Sequence, residues 1–205
     1  MAEPPDPLGR LIEEFRRLPG VGAKTAERLA YHVLRSPEAE ALALAVAIRD
    51  VKERIGHCPV CFHLSDGGIC AICRAPDRDR ATVLVVEQPK DVIAFERLGT
   101  YRGLYHVLQG RVAPIDGMGP EDLTIEALRR RVAAGGVREV ILGTNPDLEG
   151  DGTALHVRRA LAPLGVTVTR IARGIPRGSA IEFASNVILG DALEGRQALA
   201  DAERD

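Results

Sequence analysis

Cys58-Pro-Val-Cys61-Phe-His-Leu-Ser-Asp-Gly-Gly-Ile-Cys70-Ala-Ile-Cys73 holds all four cysteines of a 205-residue chain. Each C-x-x-C turn points two thiolates toward a common centre, and the eight residues between the pairs are few enough to bring both turns around one tetrahedral ion. Zinc is the leading reading. Two redox C-x-x-C motifs, or a disulfide staple, are the alternatives the spacing leaves open. No apolar leader stands at the start of the chain, which predicts a reducing compartment where disulfides are rare. Four thiolates complete a tetrahedron, so the expected ion is structural rather than catalytic. His57 and His63 flank the set and are expected on the surface.

The cysteine segment separates two regions of different rhythm. Before it, helices are predicted over Leu8 to Leu18, Ala23 to Leu34 and Pro37 to Ile55. In the third, Leu44, Ile48, Val51 and Ile55 recur at helical spacing, and Ser36-Pro37 supplies its start. After it, short β-branched runs at Thr82 to Glu87, Leu104 to Leu108, Glu139 to Gly143 and Val166 to Ile171 alternate with stretches of helical composition. Continuous apolar runs such as Val83-Leu84-Val85-Val86 suit strands buried on both faces, which predicts βαβ units and a parallel sheet covered by helices. From Gly174 onward the chain is Gly-rich and then weakly helical, an appendage for packing or assembly. Its acidic tail after Leu199 is expected to fray.

Between the first two helices runs Leu18-Pro-Gly20-Val-Gly22-Ala-Lys24-Thr-Ala-Glu-Arg28. Proline stops the first helix, and the glycines let backbone amides approach a phosphate. The second helix then begins with its positive dipole end beside them. Arg16, Arg17, Lys24, Arg28 and Arg35 against Glu27 make a local balance of +4 in a chain whose net charge is −2. Gly20, Gly22, Lys24, Arg28, Arg16 and Arg17 are therefore the candidate DNA-backbone contacts, which position a duplex without reading it. An ordinary helical hairpin is the plain alternative. A phosphate-binding P-loop is excluded, because Ala23 stands before Lys24 and no strand precedes the turn.

Composition limits the partners. A negative total charge excludes indiscriminate nucleic-acid binding by the whole surface, so any grip must be local. Aromatic residues are 3% of the chain and tryptophan is absent, which argues against base-stacking platforms. No apolar run approaches the roughly 20 residues of a membrane span.

The L-P-G-V-G turn resembles a helix-hairpin-helix motif. Its order, followed by C-x2-C-x8-C-x2-C and a βαβ region, resembles the RecR family of bacterial recombination mediators from about Leu8 to Arg196. The C-terminal stretches Thr169 to Pro176 and Leu189 to Arg196 share in that resemblance, although Ser179, Ala180, Ser185 and Asn186 stand where relatives commonly place acidic residues. The implied α/β organisation is a helix-hairpin-helix DNA-binding region over 1–57, a four-cysteine zinc finger over 58–74, a Toprim domain over 80–173 and a C-terminal assembly segment over 174–205.

Two acidic groups sit where strands should end. Glu87 closes the first strand, and Asp147, Glu149 and Asp151 follow Val140 to Gly143. In an open parallel sheet the carboxyl ends of strands converge on one crevice, and opposed carboxylates suit a hard Mg²⁺ ion. These segments resemble the Toprim module of topoisomerases, primases and some nucleases. That resemblance implies a weak magnesium site at Glu87, Asp147 and Glu149. Asn145 replaces the first acid of the run; its carbonyl can ligate, but it supplies none of the charge a two-metal phosphoryl-transfer site needs. Tyr31, Tyr101 and Tyr105 lie in no motif expected of a nucleophile.

The expected function is therefore a non-enzymatic mediator of DNA repair and recombination, with zinc as structural cofactor, magnesium at most weakly held, and no catalytic residue. The resemblance implies a cytoplasmic, nucleoid-associated homotetrameric clamp acting with RecO-like and RecF-like partners to load recombinase on single-stranded DNA. Its rivals are a magnesium-dependent Toprim nuclease or topoisomerase-like enzyme using Glu87, Asp147 and Glu149, and a protein scaffold whose hairpin never touches DNA.

Overall fold

The computed structural model describes residues 6–197, and the acidic tail after Leu199 lies outside the described residues. The chain forms two compact units, divided between Ile55 and Gly56.

In the first unit, α1 (Asp6–Arg16) and α2 (Ala23–Arg35) form the hairpin, and α3 (Glu38–Arg54) follows. The small side chains of Ala26 and Ala30 are completely buried, which lets α1 and α2 approach closely. The turn between them needs Gly20, whose φ of +79° lies in the left-handed region. The apolar spacing of α3 predicts a covered face. The structure shows a helix without one buried residue: Leu42, Leu44, Val46, Ile48 and Val51 are all exposed. The pattern specifies the helix, but no described residue of the first unit covers it.

The second unit begins with the cysteine segment. β1 (Ile55–His57) pairs with β2 (Leu64–Asp66), and the short α4 (Ala71–Arg74) carries the last cysteine. A four-stranded parallel sheet follows, in the order β4 (Gly103–Val107), β3 (Asp79–Val86), β5 (Glu139–Leu142), β6 (Thr167–Arg170). All four predicted strands are present within a few residues of their expected ends.

Alternation along β3 divides the core. Val83 and Val85 face Leu128 and Val132 of α6 (Ile125–Ala133) and Ala154, Val157 and Leu161 of α7 (Leu148–Leu161). Leu84 and Val86 face the other side, where Val92 and Phe95 of α5 (Pro89–Glu96) pack with Tyr105, Val107 and Phe62. The cysteine knuckle is tied into this sheet, since the Val107 amide donates to the Cys61 carbonyl at 2.8 Å. Phe62 meets His106 edge to face at 5.3 Å. His63 is accordingly half-buried rather than on the surface, and its Nδ1 is enclosed without a partner. His57 is exposed as expected. The C-terminal segment is irregular up to α8 (Asn186–Glu194), which Ser185 caps through its hydroxyl.

Candidate zinc centre, nucleic-acid interface and carboxylate crevice

The four thiols converge. Cys58, Cys61, Cys70 and Cys73 are buried, and their sulfurs all lie within 4.8 Å of one another. Cys61 Sγ and Cys70 Sγ are 3.6 Å apart. A tetrahedron with metal–sulfur bonds of about 2.3 Å has sulfur–sulfur edges of about 3.8 Å, so the donor set fits zinc. The backbone prepares it: the amides of Cys70 and Cys73 donate to the sulfurs of Cys58 and Cys70 at 3.4 and 3.5 Å. The thiols alone are in conflict. A hydrogen bond with Cys73 and burial push Cys61 up, and burial pushes Cys70 up to about 11. Cys58, against the same burial cost, is brought down to about 7 by backbone amides. A bound cation resolves that conflict by favouring all four thiolates at once.

The hairpin presents its predicted cations unevenly. Lys24 and Arg28 line one groove of about 490 Å³ with Glu27, Tyr31, His32 and Arg35. The N-cap residue Gly22 offers no side-chain acceptor to the first amides of α2, beside Lys24. Arg16 and Arg17 instead lie at the end of α1, paired to Glu13 and Glu14 at 2.8 and 3.0 Å. Those two acids reduce the local positive balance. Tyr31 and His32 are the groove residues that sequence reasoning did not select; their spacing on the Lys24–Arg28 face of a helix was the available signal.

The carboxylates also converge, but with partners of their own. Glu87 is 3% exposed, and both its oxygens accept from Asn145, from the backbone amide at 2.8 Å and from Nδ2 at 2.6 Å. Asn145 therefore acts toward Glu87 as a donor, not as a carbonyl ligand. Asp147 caps α7, accepting from the Gly150 amide at 2.8 Å. Arg111, on the loop after β4, spans the rest: Nη1 reaches Asp147 at 2.8 Å and Nη2 reaches Glu149 at 2.7 Å. Asp151 does not join them. It pairs with Arg173 and Arg170, which bring its carboxyl down to about 2.

As they stand, these groups do not fit Mg²⁺. Both oxygens of Glu87 and of Asp147 and one of Glu149 are held by protein donors, and the backbone lies so close at Gly150 that an added Cβ would sit 2.1 Å from the Asn145 carbonyl and 3.0 Å from Glu87 Oε1. Tyr101 and Tyr105, which stand in no nucleophile motif, have partners of their own. Tyr105 donates to Glu96 at 2.7 Å and Tyr101 to the Leu104 carbonyl at 2.9 Å, and burial pushes both phenols up.

Three family models match the chain: a RecR helix-hairpin-helix over residues 8–52, a RecR four-cysteine zinc finger domain over 55–75 and a Toprim domain over 81–172. The chain is 55% identical over 193 residues to a protein of Chloroflexus aurantiacus (strain ATCC 29366 / DSM 635 / J-10-fl) named recombination protein RecR, covering 94% of this chain and 95% of that one. Proteins of the same name from Roseiflexus sp. (strain RS-1) and Synechococcus elongatus (strain ATCC 33912 / PCC 7942 / FACHB-805) are 54% and 52% identical, over 94% of this chain and 94% and 96% of theirs. Among the described residues, no helix is long and apolar enough to cross a membrane.

Proposed function

The chain belongs to the RecR family of recombination proteins, and from that premise we propose that it is a non-enzymatic mediator of recombinational DNA repair that grips DNA through its backbone. The observation that carries this reading is the hairpin: an uncapped helix N-terminus opening beside a groove lined by Lys24, Arg28 and Arg35. Amides at Gly20 and Gly22 and the two cations Lys24 and Arg28 meet phosphates, with Arg16 and Arg17 at the margin. Such contacts are insensitive to sequence and weaken steeply with salt.

One hairpin of this size binds weakly, and several around one duplex bind with avidity. The uncovered apolar residues of α3, together with Ile181, Phe183, Val187 and Leu193 near the C-terminus, support an assembly of copies, here a tetrameric clamp. The working division is the hairpin region 1–57, the finger 58–74, the sheet domain 80–173 and the assembly segment 174–205. The finger's ion fixes its fold, and the sheet domain docks RecO-like and RecF-like partners in the cytoplasm, at the nucleoid. The engaged carboxylates support a role without covalent chemistry on DNA.

The test is fluorescence anisotropy of labelled duplex and single strands with the Lys24→Glu/Arg28→Glu variant at two salt concentrations. We expect affinity to fall at least about tenfold and the salt dependence to flatten, with melting temperature and assembly mass unchanged. DNA binding that survives the double reversal means the hairpin is not the grip.

A further inference from the structure

We propose that Arg111 is the resident cation of the carboxylate crevice, and that with Asn145 it closes the crevice to divalent metal ions. Arg111 carries its charge on a planar fork, and the fork bridges two carboxylates at the head of α7, Asp147 at its N-cap and Glu149 in its first turn. That bridging is the task a divalent ion performs between opposed carboxylates. Asn145 completes the substitution, because a carboxylate in its place would meet Glu87 Oε2 where the carboxamide now donates, beside the Asn145 backbone amide that holds Oε1.

The loop holding Arg111 is fastened on either side of it. The preceding amide, of Gly110, donates to the carbonyl of Glu87 at 2.9 Å. The following amide, of Val112, donates to Thr153 Oγ1 of α7 at 2.8 Å. Both anchors therefore belong to the elements that carry the carboxylates, Glu87 itself and the helix headed by Asp147 and Glu149. Thr153 in turn donates to the Glu149 carbonyl at 2.7 Å. One residue earlier, Gln109 adopts a left-handed φ of +69° and its side chain donates to the Phe62 carbonyl in the cysteine knuckle. A tethered guanidinium held in this way competes with an ion from solution at a high effective concentration.

This deepens the reading of the sheet domain as non-catalytic, and its test keeps the two separable. Zinc-loaded protein is titrated with Mn²⁺ while the free aquo-ion is followed by electron paramagnetic resonance. Wild type is expected to take up no more than Glu87→Gln. Arg111→Met/Asn145→Asp, which removes the resident cation and restores a carboxylate, is expected to take up about one equivalent, at least about tenfold more tightly, and to lose that uptake when Glu87→Gln is added. Should the double variant not fold, Arg111→Met alone is the reporter, with a smaller gain in the same direction. Glu87-dependent uptake by wild type overturns the proposal, and so does a folded variant that gains none. Supercoiled plasmid incubated in the same Mn²⁺ tells the failures apart. Glu87-dependent uptake with intact plasmid defeats this inference alone, whereas Glu87-dependent nicking defeats the mediator reading as well.

Discussion

The thiols of residues 58–73 and the carboxylates of Glu87, Asp147 and Glu149 are both sets of ligand atoms gathered by the same unit, and they differ in what balances them. The sulfurs are buried together, with Cys61 pushed up by a hydrogen bond with Cys73 and by burial, and Cys70 by burial. The carboxylates meet an arginine fork and an asparagine that donates twice. Convergence of ligands is thus insufficient to make a metal site. What matters is whether side chains already hold the ligand atoms: an arginine fork and an asparagine hold the carboxylates, whereas the four sulfurs are gathered around one another.

The largest effect expected from this contrast is on the sulfur side. Cys61→Ser should abolish stoichiometric zinc and the cooperative melt of the second unit, since structural zinc contributes on the order of 10 kcal/mol and whole domains rest on about 5–15. Metal content together with a thermal melt reads this out. A variant that melts at the wild-type temperature would remove the ion from the folding account.

A smaller effect concerns His106, which lies wholly buried against Phe62 beneath the knuckle. Burial, with Arg131 nearby, brings it down to about 4. Its folded value thus lies below the unfolded value of about 6.5, so its contribution is complete above that pH and is lost as pH falls toward 4. The loss should reach about 3 kcal/mol, read as the extra steepness of wild-type denaturant midpoints between pH 7 and 4 relative to His106→Leu. Parallel declines in the two proteins would mean that the site protonates freely.

The least costly change should be on the oxygen side. Glu87→Gln exchanges one hydrogen-bond acceptor for a donor and should lower stability by about 1–2 kcal/mol in urea at neutral pH, with an unchanged slope. A loss as deep as that of Cys61→Ser would erase the contrast.

What the sequence disclosed follows the range of each interaction. The zinc set was legible because its four residues lie within one short stretch, and the strands because Val83 to Val86 and their counterparts carry an apolar run with no competing period. Asn145 was visible as a lost charge, but its direction of donation depends on Glu87, 58 positions away. Arg111 gave no local signal: it meets Asp147 across 36 positions, and no spacing rule links a loop arginine to a helix cap. The same holds for Asp151, which reads as part of the acidic run but turns to Arg170 and Arg173. The apolar spacing of α3 was equally legible, yet sequence alone does not say whether its cover comes from this chain or another copy.

The bond from the Val107 amide to the Cys61 carbonyl has a further consequence for β4, which is an edge strand of the sheet. Leu108 donates inward to the Val86 carbonyl on β3, so Gly103, Tyr105 and Val107 turn their backbone groups away from the sheet. Four of those groups are taken up by neighbours: the carbonyls by Arg78, Arg131 and Thr124, and the Val107 amide by the knuckle. The metal finger thereby blunts an edge that would otherwise template pairing with another chain. Loss of zinc then does more than melt a small domain. It frees the Val107 amide on an otherwise buried edge strand, and the apo-protein is expected to be more prone to edge-to-edge pairing.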